Sequence, residues 1–545
     1  MTGPLFEKGV NILRRALLIL LVFVFTFGAM AMACTSILVG KAASVDGSTM
    51  TTHTCDGSYD ARIQIIPGGV HAEGETVSIY KGLCQAGIPG RTVSYVGEIP
   101  QAPVTYTYFH IGYPFMNENQ IIMGETTWSG KREIRNAQGW MTIEQLQVLG
   151  LQRAKTAREA IQIMGELAEK YGYGDGGEGL TIIDGEEAWL FEIGGPGPFW
   201  SPGSEEPGAV WVAQRIPDDH VLVHANRSRI GEIDLENTDY FMASPNVISL
   251  AVELNLWDPN SGEPFKFYAA YCDKTPFYNT RREWRVLDLL APSLELDPWA
   301  ERYPLSVKPD HLVSAEELMM IKRDHYEGTE FDLTQGLAAG PFGNPNRYAT
   351  SSNQRPEGVN YDGWERAISM FRCSYVIVGQ ARSWLPAAIG GVLWFGEDAP
   401  HSTVYIPFYA GNTSVPTSFS QGARDYFDRT SAWWAFNHVS NLADLRYDVA
   451  IKIIQAEASK FEKEFLANQP SIEKAALVLY EDNPALAIDF LTNYSNNAAN
   501  RVVDRWWKLA DELIYTLNDG YVNGSTAGYP TWWLEAVGYG DTTRR

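Results

Sequence analysis

Cys34 follows Ala31-Met32-Ala33 at the end of an apolar stretch. Ala-x-Ala ahead of a junction is the pattern of a secretory cleavage site, so a cut after Ala33 would make Cys34 the first residue of the mature chain. A cysteine with its own free α-amine is nucleophile and base in one residue. That amine has an ordinary pKa of about 7.7–8.0, so a useful fraction is neutral near pH 7. The chemistry that fits is attack on an amide carbonyl. The cut that exports such a chain would also switch it on.

Neighbouring elements must bring partners to the thiol. Thr35, Ile37 and Val39 alternate as in a strand from Cys34 to Lys41, Ser44-Val45-Asp46-Gly47 reads as a turn, and Ser48 to Thr54 reads as a second, Thr-rich strand. Antiparallel pairing brings the far end of the second strand back to the start of the first. His53, Asp56 and Asp60 cluster at that far end, and His53 to Asp56 should therefore lie near Cys34. Asp56 is suited to hold or orient the α-amine, and His53 to tune the thiolate.

The segment before Cys34 carries Lys8, Arg14 and Arg15, then an apolar run from Ala16 to Ala29. It is short for a spanning helix and ends in small residues, so residues 1–33 are assigned as a signal peptide and the protein as exported, periplasmic or extracellular. Two other readings of this junction exist: a retained anchor helix, or a lipoprotein with Cys34 acylated. Met32 before Ala33 makes a poor lipidation box, and lipidation would consume the thiol and leave a tethered binding protein. The chain has 545 residues and a formal charge of −23. Taking away three basic residues and one acidic residue with the leader changes this to −25. Such a surface repels nucleic acid and anionic membranes. Partners expected on this basis are a small substrate, no nucleic acid and no stable membrane contact after cleavage, with a homo-oligomer left open.

Five cysteines (Cys34, Cys55, Cys84, Cys272, Cys373) lie far apart with no Cys-x-x-Cys pair, which argues against a zinc knuckle. The four beyond Cys34 suit two disulfides outside the cytoplasm, Cys55 with Cys84 being the local choice. No Gly-x-Ser-x-Gly elbow and no His-Glu-x-x-His motif occurs. Neither a metal nor an organic cofactor is signalled.

Further along, strands are expected over Arg62–Ile66 and Gln120–Thr127, and helices over Thr142–Leu151 and Thr156–Tyr171. One hairpin is expected from Leu180–Ile183 and Ala188–Ile193, and another from Val210–Gln214 and His220–Ala225 across Pro217-Asp218-Asp219. Ser244–Leu256, Arg281–Leu290 and Ser314–Tyr326 read as helices, and 335–365 as loop. Three strands follow (Cys373–Gly379, Gly391–Phe395, Thr403–Phe408), then strong helical periodicity from Ser431 to Leu517. The pattern is α+β, with stacked layers. The expected organisation is a catalytic domain over 34–430 and a helical region over 431–545 packed on it.

Three blocks carry a resemblance. The first is Met32-Ala33-Cys34-Thr35-Ser36-Ile37-Leu38-Val39-Gly40-Lys41 with Asp46-Gly47-Ser48 and Thr52-His53-Thr54-Cys55-Asp56. The second runs from Trp211-Val212-Ala213-Gln214-Arg215 through His224-Ala225-Asn226-Arg227-Ser228-Arg229-Ile230. The third runs from Arg382-Ser383-Trp384-Leu385-Pro386 through Gly390-Gly391-Val392-Leu393-Trp394-Phe395-Gly396. Together, over roughly 34–411, the sequence resembles the dipeptidase A/secernin family of N-terminal nucleophile (Ntn) hydrolases. The resemblance implies a four-layer αββα sandwich, a cysteine nucleophile at the mature N-terminus and hydrolysis of small peptides. Related bile-salt hydrolases and penicillin V acylases place an Arg and, three residues on, an Asp after the first hairpin. Asp56 matches that Asp, while His53 stands where the Arg would be. Asn226 matches a family asparagine that donates to the oxyanion, and Arg366 or Arg372 a later family arginine. An acylase of the same fold, cleaving N-acyl amides, is the alternative activity.

Overall fold

Two antiparallel sheets lie face to face. The computed structural model describes residues 34–348 and 365–540, and the leader assigned to 1–33 falls outside them. The strands of the two sheets are numbered together in chain order. They are β1 (Ser36–Val39), β2 (Thr49–Asp56), β3 (Gln64–Ile66), β4 (Tyr108–His110), β5 (Met116–Asn117), β6 (Ile122–Trp128), β7 (Gly177–Ile183), β8 (Ala188–Gly194), β9 (Val210–Arg215), β10 (Val221–His224), β11 (Phe241–Ala243), β12 (Ser306–Val307), β13 (Cys373–Ala381), β14 (Val392–Glu397) and β15 (Ile406–Tyr409). One sheet runs β12-β10-β1-β2-β13-β14-β15, and the other β11-β9-β8-β7-β6-β5-β4-β3.

Every residue of β1, β2, β6 (save Thr127) and β13 is buried, so these strands are not the half-polar ribbons of an exposed sheet. The polar side chains on their facing surfaces bond across the gap. Thr51 Oγ1 meets Thr181 Oγ1 at 2.7 Å, and Ser36 Oγ donates to the Glu125 carbonyl at 3.2 Å. Gly124 marks a close approach: a Cβ there would stand 2.7 Å from the Thr52 carbonyl oxygen.

Helices α1 (Ile143–Arg153) and α2 (Ala157–Tyr171) pack on each other, and α2 also packs on β8 and β9. The start of α2 is a capping arrangement in which Thr156 accepts from the Glu159 N–H while the Glu159 carboxylate accepts from the Lys155 N–H. On the seven-stranded sheet, α3 (Phe277–Leu290) contacts β10 and α4 (Ala315–Ile321) contacts β13. The C-terminal helices are α5 (Ala432–Ala443), α6 (Tyr447–Asp482) and α7 (Pro484–Leu517). The last two turn at Asn483, whose side chain caps α7 ahead of Pro484 at the first helical position. On α6, Ala450, Ile454, Ala458 and Phe465 form the buried stripe, with Phe461 at its half-buried margin. Buried pairs tie this arm to the sheet region: Arg323 with Glu462, and Arg382 with Glu473 at 2.7 Å.

The structure corrects three expectations. β9 and β10 are not a hairpin: β9 pairs with β8 and β11, whereas β10 pairs with β1 and β12. The Pro217-Asp218-Asp219 turn carries the chain from one sheet to the other. Ser244–Leu256 is helical only over Ser249–Glu253. No disulfide forms; all five cysteines are free. The thiols of Cys272 and Cys373 donate instead to nearby backbone carbonyls, those of Asp273 and Tyr375. Among the described residues, no helix is long and apolar enough to cross a membrane.

Candidate active site

Cys34 enters the fold two residues before β1. The β1–β2 register, Leu38 opposite Thr51 and Val39 opposite Met50, brings Cys34 level with Cys55 when carried back along the strand. The Thr content of β2 has a specific role at this end. The Thr35 N–H donates to Thr54 Oγ1 and the Ile37 N–H to Thr52 Oγ1, each at 3.0 Å. Threonine hydroxyls take the place of ladder carbonyls, so the backbone donors stay satisfied where the strands part.

The thiol is buried and donates to Glu125 Oε2 at 3.4 Å. Burial first, then the charges of Glu125 and Asp56, push it well above the ordinary thiol range, while a backbone hydrogen bond at Asp56 pulls the other way. Glu125 lies in the middle of β6 and is fully buried; burial raises its carboxyl above the usual range. His53 bonds through Nδ1 to the Glu125 carbonyl at 2.7 Å, and burial lowers it to about 3. His53 is thus a neutral imidazole and cannot serve as the cation expected at the position of the related families' arginine.

The cations come from elsewhere. Arg282 of α3 donates from Nη1 to the Cys34 carbonyl at 2.8 Å and to Thr35 Oγ1 at 2.9 Å. Its Nη2 donates to Asn226 Oδ1 and Asn279 Oδ1, each at 2.9 Å. Burial, and then the nearby Arg366, lower this guanidinium to about 10, which leaves it charged at neutral pH. Lys322, just past α4, donates to the Thr35 carbonyl. Burial lowers its amine to about 7, with Asp56 opposing the shift. Arg366 forms a buried ion pair with Asp56. Burial raises Asp56 to about 6, and Arg366 and then Arg282 work against that rise.

Asn226 sits two residues past the end of β10 in the left-handed region, φ 58°, which asparagine tolerates better than most residues. Its Nδ2 donates to the Thr127 carbonyl at 2.7 Å, so the turn is tied to β6 as well as to Arg282. The residues after it are buried charges locked in place. Arg227 and Arg229 pair with Glu283 at 2.8 and 3.0 Å, and Glu192 accepts from Ser228 Oγ and the Arg229 N–H, both at 2.6 Å. Adjacent residues of α3, Arg282 and Glu283, thus hold the two halves of one turn.

Of the residues singled out by sequence, Cys34, His53, Asp56, Asn226 and Arg366 converge. Arg372 instead lines a neighbouring cleft of about 240 Å³ with Gly57, Ser58, Arg424 and Asp444, and the ion pair to Asp56 is made by Arg366. Asp60 turns away to pair with Arg62 at 2.7 Å. Sequence reasoning missed Glu125, Arg282 and Lys322. Glu125 did leave a trace, as a lone carboxylate inside a strand otherwise free of charge (Ile122–Trp128).

A buried thiol level with the end of a hairpin partner is thus ringed by two arginines, a lysine and two carboxylates, a concentration of titratable groups that packing alone does not call for. The model of peptidase family C69 matches residues 33–460, and the chain belongs to that family. The matched span holds every site residue named above. The chain is 28% identical over 435 residues to a probable dipeptidase of Salmonella dublin, covering 73% of this chain and 89% of that protein. It is 26% identical over 500 residues to a probable dipeptidase of Latilactobacillus sakei, covering 88% and 95%. It is 26% identical over 462 residues to dipeptidase A of Lactobacillus helveticus, covering 81% and 87%.

Proposed function

We propose that this peptidase is an exported dipeptidase whose nucleophile is Cys34, freed at its amine by cleavage after Ala33, and that its sheets and helices form the four-layer αββα sandwich of Ntn hydrolases, with 34–430 as the catalytic domain and 431–545 packed on it. The observation that carries the reading is the grip of Arg282 on the Cys34 carbonyl and the Thr35 hydroxyl. It holds residue 34 from its C-terminal side, so losing the peptide bond on the other side does not release it. The dipeptidase names of the relatives support the substrate class.

In the mechanism, Cys34 Sγ attacks the carbonyl carbon of the scissile amide while its proton passes to the α-amine. The carbonyl oxygen becomes an oxyanion, held by an Asn226 carboxamide N–H and a backbone N–H. The carbon–nitrogen bond then breaks as the α-ammonium returns the proton to the leaving amine. Water, deprotonated by the α-amine, hydrolyses the thioester and restores the thiol. Asp56, kept ionised by Arg366, orients the amine. Glu125 directs the thiol hydrogen, and Lys322 and Arg282 supply the positive field that His53 does not.

The test is a pair of measurements on the exported protein: intact mass, and hydrolysis of dipeptides beside N-acyl amino acids. The expected results are a mature chain beginning at an unmodified Cys34, dipeptide cleavage, and activity falling to background in Cys34→Ala with the fold retained. A diacylglycerol on Cys34, activity surviving in Cys34→Ala, or cleavage of N-acyl amino acids alone would overturn the reading.

A further inference from the structure

The same cluster also holds the side chains of a metal-ligand set, a role that the hydrolytic reading does not give them. One ligand atom each from Cys34, His53 and Glu125 lies within 4.8 Å of the other two, and all three residues are buried. His53 Nδ1 bonds to a backbone carbonyl, which only accepts, so the ring hydrogen is on Nδ1. Nε2 is then a bare lone pair, and it is buried with no hydrogen-bond partner. An imidazole whose Nδ1–H is fixed by a backbone carbonyl is oriented as metal-bound histidines are, with its other nitrogen ready to coordinate.

Thiolate, imidazole and carboxylate together suit a borderline-soft divalent cation, and three protein ligands leave a fourth corner for water. Tetrahedral zinc at ordinary bond lengths sets its ligand atoms roughly 3.5 Å apart. The three side chains need to draw in by at most about 1 Å to meet that geometry. Charge also balances. A dication with one thiolate and one carboxylate is a neutral set, the two anionic ligands offsetting the metal's charge beside Arg282, Lys322 and the Arg366–Asp56 pair.

We propose that Cys34, His53 and Glu125 form a binding site for Zn²⁺ or a similar thiophilic dication, which occupies the nucleophile and blocks hydrolysis while bound. On binding, the Cys34 S–H bond breaks heterolytically. The electron pair goes to the metal and the proton to solvent, so no oxidant or reductant takes part. Coordination needs only the three side chains. The block on hydrolysis rests on the nucleophile reading above.

The experiment uses the purified full chain, with Zn²⁺ measured by chelator competition and Co²⁺ as a spectroscopic probe. The expected result is one equivalent per chain and a near-ultraviolet thiolate-to-cobalt charge-transfer band. The band should vanish in Cys34→Ser, and affinity should fall at least tenfold in His53→Asn, which can still donate to the Glu125 carbonyl but lacks the Nε2 lone pair. Glu125→Gln, of the same shape, should weaken binding as well. Absence of the band in the wild type, or a band that persists in Cys34→Ser, would overturn the site. The two ideas fail separately: metal-free Cys34→Ala tests the nucleophile, whereas the cobalt band reports coordination whether or not the protein cleaves any peptide.

Discussion

The cluster around Cys34 and the arm built from α6 and α7 treat charge in opposite ways. In the site, Cys34, His53, Asp56, Glu125, Arg282 and Lys322 all have burial as the main cause of their shift, and each is pushed toward its neutral form. On the exposed face of the arm, two pairs have a partner as the leading cause: Arg501 lowers Glu464, and Glu512 raises Arg505, each toward its charged form. Groups held near their neutral point can exchange protons during a reaction, and groups pinned in their charged form cannot. The contrast separates a buried cluster of titratable groups from a packing arm, where Ala450, Ile454 and Ala458 of α6 and Val502 and Trp506 of α7 are buried.

Arg282 is where that contrast breaks most visibly. One guanidinium serves six acceptors, four of them within 2.9 Å on three segments, so removing it strands the carbonyl of Cys34 and two asparagine oxygens in a dry site. Arg282→Met should cost about 3–5 kcal/mol, the range for loss of one partner from a buried charged network. Hydrolysis by the folded fraction should drop by more than about a hundredfold, as misplacing a nucleophile does. Arg282→Lys should rescue little, because an ammonium lacks the planar fork that reaches four acceptors. Denaturant midpoints and turnover of the same preparations measure both effects. A variant within 1 kcal/mol of wild type with normal turnover would show that the interior does not depend on this hub.

The two halves of the site differ in how far the sequence discloses them. Asp56 beside Cys34 follows from a hairpin, because pairing rules relate residues 22 apart in the chain through one turn. The C-terminal helices show in the same local way, through periodic Ala450, Ile454 and Ala458. Glu125 lies 91 residues from Cys34, Arg282 lies 248 residues from it, and Lys322 lies 287 from Thr35. No local pattern encodes such meetings; packing of whole sheets and helices creates them. The supposed β9–β10 hairpin fails for a related reason. A Pro-Asp-Asp turn between two apolar strands has the same sequence whether the strands pair or part, and the choice is made by β1, which takes β10 as its neighbour. The unpaired cysteines belong here too, since Cys55 and Cys84 are near in sequence but Cys55 lies on a buried strand beside Tyr375.

Asp398, at the seam between the sheet and the arm, should behave as an intermediate case. It follows β14 in the left-handed region, φ 61°, and accepts from Asn437 of α5 at 3.0 Å, while its Oδ2 has no partner. Burial raises it from 3.8 to about 6, against the pull of Asn437. The folded state therefore holds this proton more tightly than the unfolded chain does. Its contribution is most favourable below about pH 4 and declines as pH rises through 6, by on the order of 3 kcal/mol in all. Asp398→Asn keeps the shape, tolerates the same φ and has no proton to lose. Its stability relative to wild type should therefore improve between pH 4 and pH 7, as read from urea midpoints at the two values. A difference that does not change with pH would place Asp398 with the arm and not with the interior.

The smallest effect is expected at Arg501. Its two nitrogens meet the Glu464 carboxylate at 2.8 and 2.9 Å, a bidentate pair of good geometry. Yet both side chains are about half exposed, 54% and 41%. Water already solvates these charges, salt screens them, and holding two long side chains together costs entropy. Arg501→Ala should therefore shift stability by about 0.5 kcal/mol, and less at high salt. Two residues before Glu464 on α6, Glu462 is buried and satisfies both Arg323 and the Tyr405 N–H. If Arg501→Ala costs several kcal/mol regardless of salt, then solvent exposure is not what divides the two regions, and the arm's surface pairs must be counted with the charged network of the interior.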